Sequence, residues 1–130
     1  RLWDQVGGDL ARYRVAAAGY LLQPGTPFVY YGEEVGQAGV TQLEGDMPLR
    51  SPMSWSTTPS GAGFTSGTPF RPISPNVAAF NAAAEAKDPS SLHAFYKAML
   101  SLRNSRPSIA RVTWTPAPTM RLASASISGR

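Results

Sequence analysis

Two adjacent carboxylates, Glu33 and Glu34, close the run Gly25-Thr26-Pro27-Phe28-Val29-Tyr30-Tyr31-Gly32-Glu33-Glu34. A carboxyl pair can do general acid and base work when both groups reach the same bond. Geometry argues against that here: if the strand expected before them continues through them, neighbouring side chains point to opposite faces. One of the two can then face a ligand, and the competing reading is structural hydrogen bonding. His93 is the only histidine. It falls within a helical pattern, where a partly exposed surface role is expected, and a single histidine excludes a His-pair zinc site. Asp46, in Glu44-Gly45-Asp46, has the oxygen chemistry calcium prefers. One or two carboxylates fall short of about six to eight ligands, so no metal is assigned, and no cofactor is implied. The chain has no cysteine, which removes disulfides and thiolate metal sites.

Positioning these residues requires a strand, two helices and a long loop. Pro27 sets an extended entry, Phe28 to Tyr31 have the aromatic and β-branched character of a strand, and Gly32 permits a sharp bend. Before it, Asp9 can cap a helix over about Leu10 to Leu22, with Leu10, Tyr13, Ala17 and Leu21 at helical spacing and Gln23-Pro24-Gly25 as its stop. Together they form an αβ unit with the short connection of a layered α/β fold. From Gly36 to Asn81 the chain is rich in Gly, Pro, Ser and Thr and lacks periodicity, and reads as one long loop. Met53, Trp55, Phe64, Phe70 and Phe80 argue that this loop packs rather than being disordered, with a short helix near Ala78 to Ala86. Asp88-Pro89 then offers an N-cap and a first-turn proline for a helix over about Ser90 to Asn104. Its expected buried stripe is Leu92, Phe95, Tyr96, Met99, Leu102 and Arg103, with Lys97 outward and Pro107 beyond the stop.

The net charge of +4 gives no nucleic-acid footprint, because Arg111, Arg121 and Arg130 lie together in an acid-free tail and the other basic residues are dispersed. No apolar run approaches the roughly twenty residues of a membrane span, so no membrane partner is expected. Arg1-Leu2-Trp3-Asp4 has neither an initiator methionine nor a signal-peptide pattern, and reads as though cut from something longer.

Taken in order, these motifs resemble the C-terminal portion of the catalytic barrel of the α-amylase family, glycoside hydrolase family thirteen. Gly25 to Glu34 is similar to that family's eighth barrel strand. Leu49-Arg50-Ser51-Pro52-Met53-Ser54-Trp55 resembles its Arg-x-Pro-Met-x-Trp segment, and Asp88-Pro89-Ser90-Ser91-Leu92 with Phe95-Tyr96 and Leu102-Arg103 resembles its eighth helix. The helix from Leu10 would then be the seventh.

The resemblance implies an α/β fold: a partial (β/α)8 barrel made of the seventh helix, eighth strand, long loop and eighth helix, with an irregular C-terminal tail. A whole barrel takes about 250 residues. Residues 1–111 would be a C-terminal fragment of the catalytic barrel and 112–130 an irregular tail, which a frameshift near Arg111 would explain. The resemblance further implies action on α-glucosidic linkages of starch and maltooligosaccharides by a retaining mechanism. The family's three catalytic acids would lie upstream of Arg1, so the chain alone is expected to be inactive. Catalysis by Glu33 or Glu34 is the lesser expectation. Arg50 is the first candidate for substrate binding, since the corresponding arginine in oligo-glucosidase-like relatives lies beside substrate; its alternative is an ion pair holding the loop. Tyr31 and Trp55 could stack on sugar faces or anchor packing. The expected partner is an α-glucan or oligosaccharide, with self-association through exposed barrel surfaces. The alternative is a small non-catalytic carbohydrate-binding or interaction module.

Overall fold

The computed structural model describes residues 1–58 and 60–111. Two helices dominate it, α2 (Leu10–Leu21) and α4 (Leu92–Ser105), with short helices α1 (Leu2–Gln5), α3 (Ala82–Glu85) and α5 (Pro107–Ala110) around them. The tail expectations for 112–130 lie outside the described residues.

Helix α2 starts where its sequence says it should. The Asp9 carboxylate accepts from the amides of Ala11 and Arg12 at 2.8 and 3.0 Å, satisfying two donors that the first turn leaves open. Tyr13, Ala17 and Leu21, four residues apart, are fully buried and meet Leu92 and Tyr96 of α4. The small side chain of Ala17 lets the helices approach closely. Trp3 of α1 and Phe80 cover the edge of this core, their rings 4.3 Å apart.

Helix α4 begins later than Asp88-Pro89 predicts. Its cap is Ser91, whose hydroxyl oxygen accepts from the Ala94 amide at 3.1 Å. Asp88 is occupied elsewhere: it accepts from both the amide and the hydroxyl of Ser90 at 2.7 Å, an Asx turn that places Pro89 before the helix. Leu102 also departs from the expected stripe and is exposed. Ten residues after Leu92 it has rotated about 80° away from that residue's direction.

Arg103, by contrast, is buried on the expected face, where an apolar side chain would ordinarily sit. Its guanidinium donates to the carbonyls of Leu21 at 2.9 Å and Gln23 at 2.6 Å, and to Gly25. The Leu21 carbonyl is one of the acceptors left open where α2 ends, the other two belong to the turn just beyond it, and a fixed cation also suits the negative end of a helix dipole.

The eighth strand does not form. Among the described residues there is no strand, and Phe28, Val29, Tyr30 and Tyr31 are all exposed, Phe28 at 86%. The reason is structural: a strand is held by hydrogen bonds to a neighbour, and the extended segment has none beside it.

The long loop is ordered by buried and half-buried polar side chains. Asn76 donates to the Gly36 carbonyl at 2.9 Å and accepts from the Ala38 amide at 3.0 Å, while Ser74 donates to the Ala38 carbonyl at 2.9 Å. Asn81 caps α3 through the Ala84 amide at 3.0 Å. The loop includes a 3-10 turn at Met47–Leu49.

Candidate functional site

The chain turns at Gly32, and that turn separates the two glutamates. Gly32 has φ +83°, and a Cβ there would lie 2.5 Å from Gln37 Oε1, so both the conformation and the space call for glycine. Glu33–Val35 then forms a single 3-10 turn rather than continuing an extended strand. Strand alternation is therefore not what directs these side chains.

Glu33 points to the helices. Tyr20 donates to its Oε2 at 3.1 Å, the Tyr96 hydroxyl lies 2.8 Å from that of Tyr20, and Tyr13 donates to the Glu33 carbonyl at 2.9 Å. Burial first, with the neighbouring tyrosines and Glu33 adding to it, pushes the Tyr13 and Tyr20 hydroxyls far above the usual range. Tyr96 is pushed up to about 12, again chiefly by burial. All three stay protonated at neutral pH, as Tyr13 and Tyr20 must in order to donate to Glu33. Glu33 thus belongs to the helix core's polar edge.

Glu34 opens instead into a groove of about 530 Å³, together with Tyr31, Arg50, Ser51, Trp55, Phe64, Phe70 and Arg71. The structure brings four sequence candidates together here: Tyr31, Glu34, Arg50 and Trp55. It leaves Glu33 out, in a second groove with Arg1, Tyr20 and Phe28. The two glutamates thus line different grooves, Glu34 also bordering one with His93, Tyr96 and Lys97.

The side of the groove formed by Tyr31 and Arg50 to Trp55 has identifiable supports. Tyr31 donates to the Ser51 carbonyl at 2.8 Å, and the Arg1 guanidinium donates to the carbonyls of Tyr31 and Leu49 at 2.5 and 2.7 Å. Burial raises the Tyr31 hydroxyl, while the nearby Arg1 charge opposes the rise. Gln37 is fully buried and holds Arg50 to Trp55 in place: it donates to the Pro52 carbonyl and accepts from the Ser54 amide, both at 3.0 Å. On the far side, the amides of Ala82 and Ala83 donate to the carbonyls of Ser54 and Trp55 at 2.9 Å. Arg50 pairs with Asp46 at the rim, both side chains largely exposed, which also commits the Asp46 carboxylate. Such an exposed pair contributes up to about 1 kcal/mol.

Phe64, Phe70 and Arg71 are groove residues that sequence reasoning did not select. The loop's aromatics are expected to pack, and Phe80 does, but Phe64 and Phe70 stand 58% and 91% exposed. Their only signal was a concentration of aromatic residues in an aperiodic segment. The resulting surface is apolar and aromatic, fringed by two guanidinium groups and a carboxylate.

The family model described as the catalytic domain of α-amylase matches residues 1–111. The oligo-1,6-glucosidase of Parageobacillus thermoglucosidasius is 30% identical over 82% of this chain and 26% of its own length. The α-amylase SusG of Bacteroides thetaiotaomicron is 35% identical over 88% of this chain and 16% of its own. Among solved structures, the trehalulose synthase MutB of Pseudomonas mesoacidophila superposes with a TM-score of 0.70 at 26% identity, covering 79% of this chain and 26% of that one. The chain thus spans about a quarter or less of the length of these relatives. A family match running from Arg1 to Arg111, with agreement in fold and sequence alike, means that the chain belongs to the α-amylase family, glycoside hydrolase family thirteen, and represents part of its catalytic domain.

Proposed function

We propose that residues 1–111 are the C-terminal part of an α-amylase-type barrel whose whole acts on α-glucosidic linkages by a retaining mechanism, and that this chain supplies substrate contacts while the catalytic acids lie elsewhere. The observation that carries the reading is the separation of Glu33 from Glu34. A retaining enzyme needs two carboxyls about 5 to 5.5 Å apart across one bond, whereas these two open into different grooves. Tyr31, Arg50 and Trp55 are the proposed sugar contacts, all on the groove that also holds Glu34. The exposed segment Phe28 to Tyr31 supports self-association through surfaces that a barrel would cover.

The test is a hydrolysis assay on the purified 130-residue chain with maltooligosaccharides and isomaltose, paired with calorimetric titration of the same sugars. Saturable binding without product is the expected result. Product formation that disappears in Glu34→Ala would place catalysis in this chain and overturn the reading. The non-catalytic binding-module alternative is favoured by the groove having stacking surfaces without an acid pair. A coding sequence that begins at Arg1 would select it over a fragment of a longer enzyme.

A further inference from the structure

Beyond the contacts near Tyr31 and Arg50, we infer that the outer wall of the groove, formed by Phe64 and Phe70, is a stacking subsite for an uncharged glucosyl ring. The inference rests on the reading above and names the ligand chemistry of the same groove. Besides Tyr31, three aromatic side chains line this groove with more than half of their surface exposed: Trp55 at 52%, Phe64 at 58% and Phe70 at 91%. Exposed aromatic rings offer flat apolar faces of the kind that the C–H face of a pyranose covers, and each has only two torsions to fix on binding.

The Trp55 and Phe64 side of the wall is built in advance of any ligand. The amides of Trp55 and Ser56 both donate to the Ala62 carbonyl, at 2.9 and 3.0 Å, and the Phe64 amide donates to the Gly61 carbonyl at 2.8 Å. Ala62 is buried with φ +53°, an uncommon conformation for a residue with a side chain, and is held there by this network. At Gly63, with φ +73°, a Cβ would lie 2.7 Å from Ser56 Oγ and 3.1 Å from the Trp55 Cβ. Any larger residue would push the turn away from Trp55. The faces of Trp55 and Phe64 are therefore presented by a closed turn, which reduces the ordering cost of binding, while Phe70 stands beyond that turn with the Arg71 guanidinium over its ring.

Charge selects the class of ligand. Arg50 is paired with Asp46, and the Arg71 guanidinium sits over the Phe70 ring, 4.7 Å from its centroid, in a groove that also holds Glu34. Arg50 and Arg71 are matched in charge by Asp46 and Glu34, and the Arg1 guanidinium against Tyr31 is committed to the Tyr31 and Leu49 carbonyls, so the groove offers guanidinium donors and carboxylate acceptors for hydroxyl groups. A neutral polyhydroxyl ring fits this balance better than a phosphorylated one. The volume of about 530 Å³ lies within the roughly 300 to 1,000 Å³ of small-molecule sites.

The experiment is calorimetric titration of the full chain and its variants with maltoheptaose, and with glucose 6-phosphate against glucose. Phe70→Ala is expected to weaken maltoheptaose binding about tenfold, the equivalent of about 1.4 kcal/mol, and Phe70→Trp to restore it. Phe64→Ala should act in the same direction, and Lys87→Ala, remote from the groove, should leave binding unchanged. Because Phe70 is 91% exposed, its truncation leaves folding intact, checked by an unchanged helical circular dichroism signal. Maltoheptaose binding that Phe70→Ala and Phe64→Ala leave intact would overturn the subsite alone. Preference for the phosphorylated sugar would overturn its neutrality. No maltoheptaose binding by the unaltered chain would overturn both the subsite and the sugar-binding reading beneath it.

Discussion

The helix pair and the groove loop are held by opposite means. In the pair, Tyr13, Ala17 and Leu21 meet Leu92 and Tyr96 through side chains repeated at helical spacing, so stability comes from non-directional apolar burial. In the loop, the buried polar side chains of Gln37, Ser74 and Asn81, with half-buried Asn76, hold the backbone by individual directed bonds. An apolar core tolerates many sequences of similar volume, whereas a directed bond requires one group at one place. The difference teaches why the helices are legible as patterns while the loop's geometry is not.

The comparison breaks most visibly at Leu92. Leu92→Ala should destabilise the chain by about 2 to 5 kcal/mol, seen as a lower urea midpoint, because a fully buried side chain is replaced by a cavity between α2 and α4. A change within a few tenths of a kcal/mol would mean that the helices do not share a core.

Gln37→Ala tests the loop side and should cost about 1 to 3 kcal/mol, since the Pro52 carbonyl and Ser54 amide lose their partner in a buried setting. The sharper measurement is amide hydrogen exchange. Protection should fall at Ser54, Ala82 and Ala83 while the amides of α4 keep theirs. Equal loss in both regions would mean that loop and helix pair open as one unit.

The smallest effect is expected at Glu85, where the two regions join. Its carboxylate accepts from the His93 amide at 3.1 Å near the start of α4, and its carbonyl accepts from the Ser91 hydroxyl at 2.8 Å. Burial raises this carboxyl above the ordinary 4.5, against the lowering influence of the His93 amide. A raised folded-state value means that Glu85 favours folding most below the ordinary range, and that this contribution is lost as pH rises through the folded value. Glu85→Gln keeps an oxygen acceptor and removes the titration. The stability difference between the variant and the unaltered chain should therefore shift in the variant's favour as pH increases from acid to neutral, measured by urea titration at each pH. A difference that moves the other way would mean that the ionised carboxylate is the form the fold prefers.

Much of the fold was legible where local chemistry is self-sufficient. Asp9 and the Leu10, Tyr13, Ala17, Leu21 spacing marked α2 to within one residue of its observed end. Asp88 misled because Asp and Ser compete for capping, and only the Asx turn with Ser90 decides that Ser91 performs it. Of the site candidates, Tyr31, Glu34, Arg50 and Trp55 were all nameable from the chain and share one groove. Phe64, Phe70 and Arg71 were not selected, because nothing in an aperiodic segment says which aromatic residues pack and which stay exposed along a groove.

The sequence by itself determined the family, the two main helices and the glycine at position 32, because ordered motifs, helical periodicity and backbone strain are properties of the chain read locally. Tertiary structure decided the rest. It placed Glu33 under Tyr20 and Glu34 in the groove, set Arg103 on the carbonyls at the end of α2, and left Phe28 to Tyr31 without a ladder. Each of these outcomes depends on which distant group is present to bond or to pack, and no local pattern specifies a partner some tens of residues away.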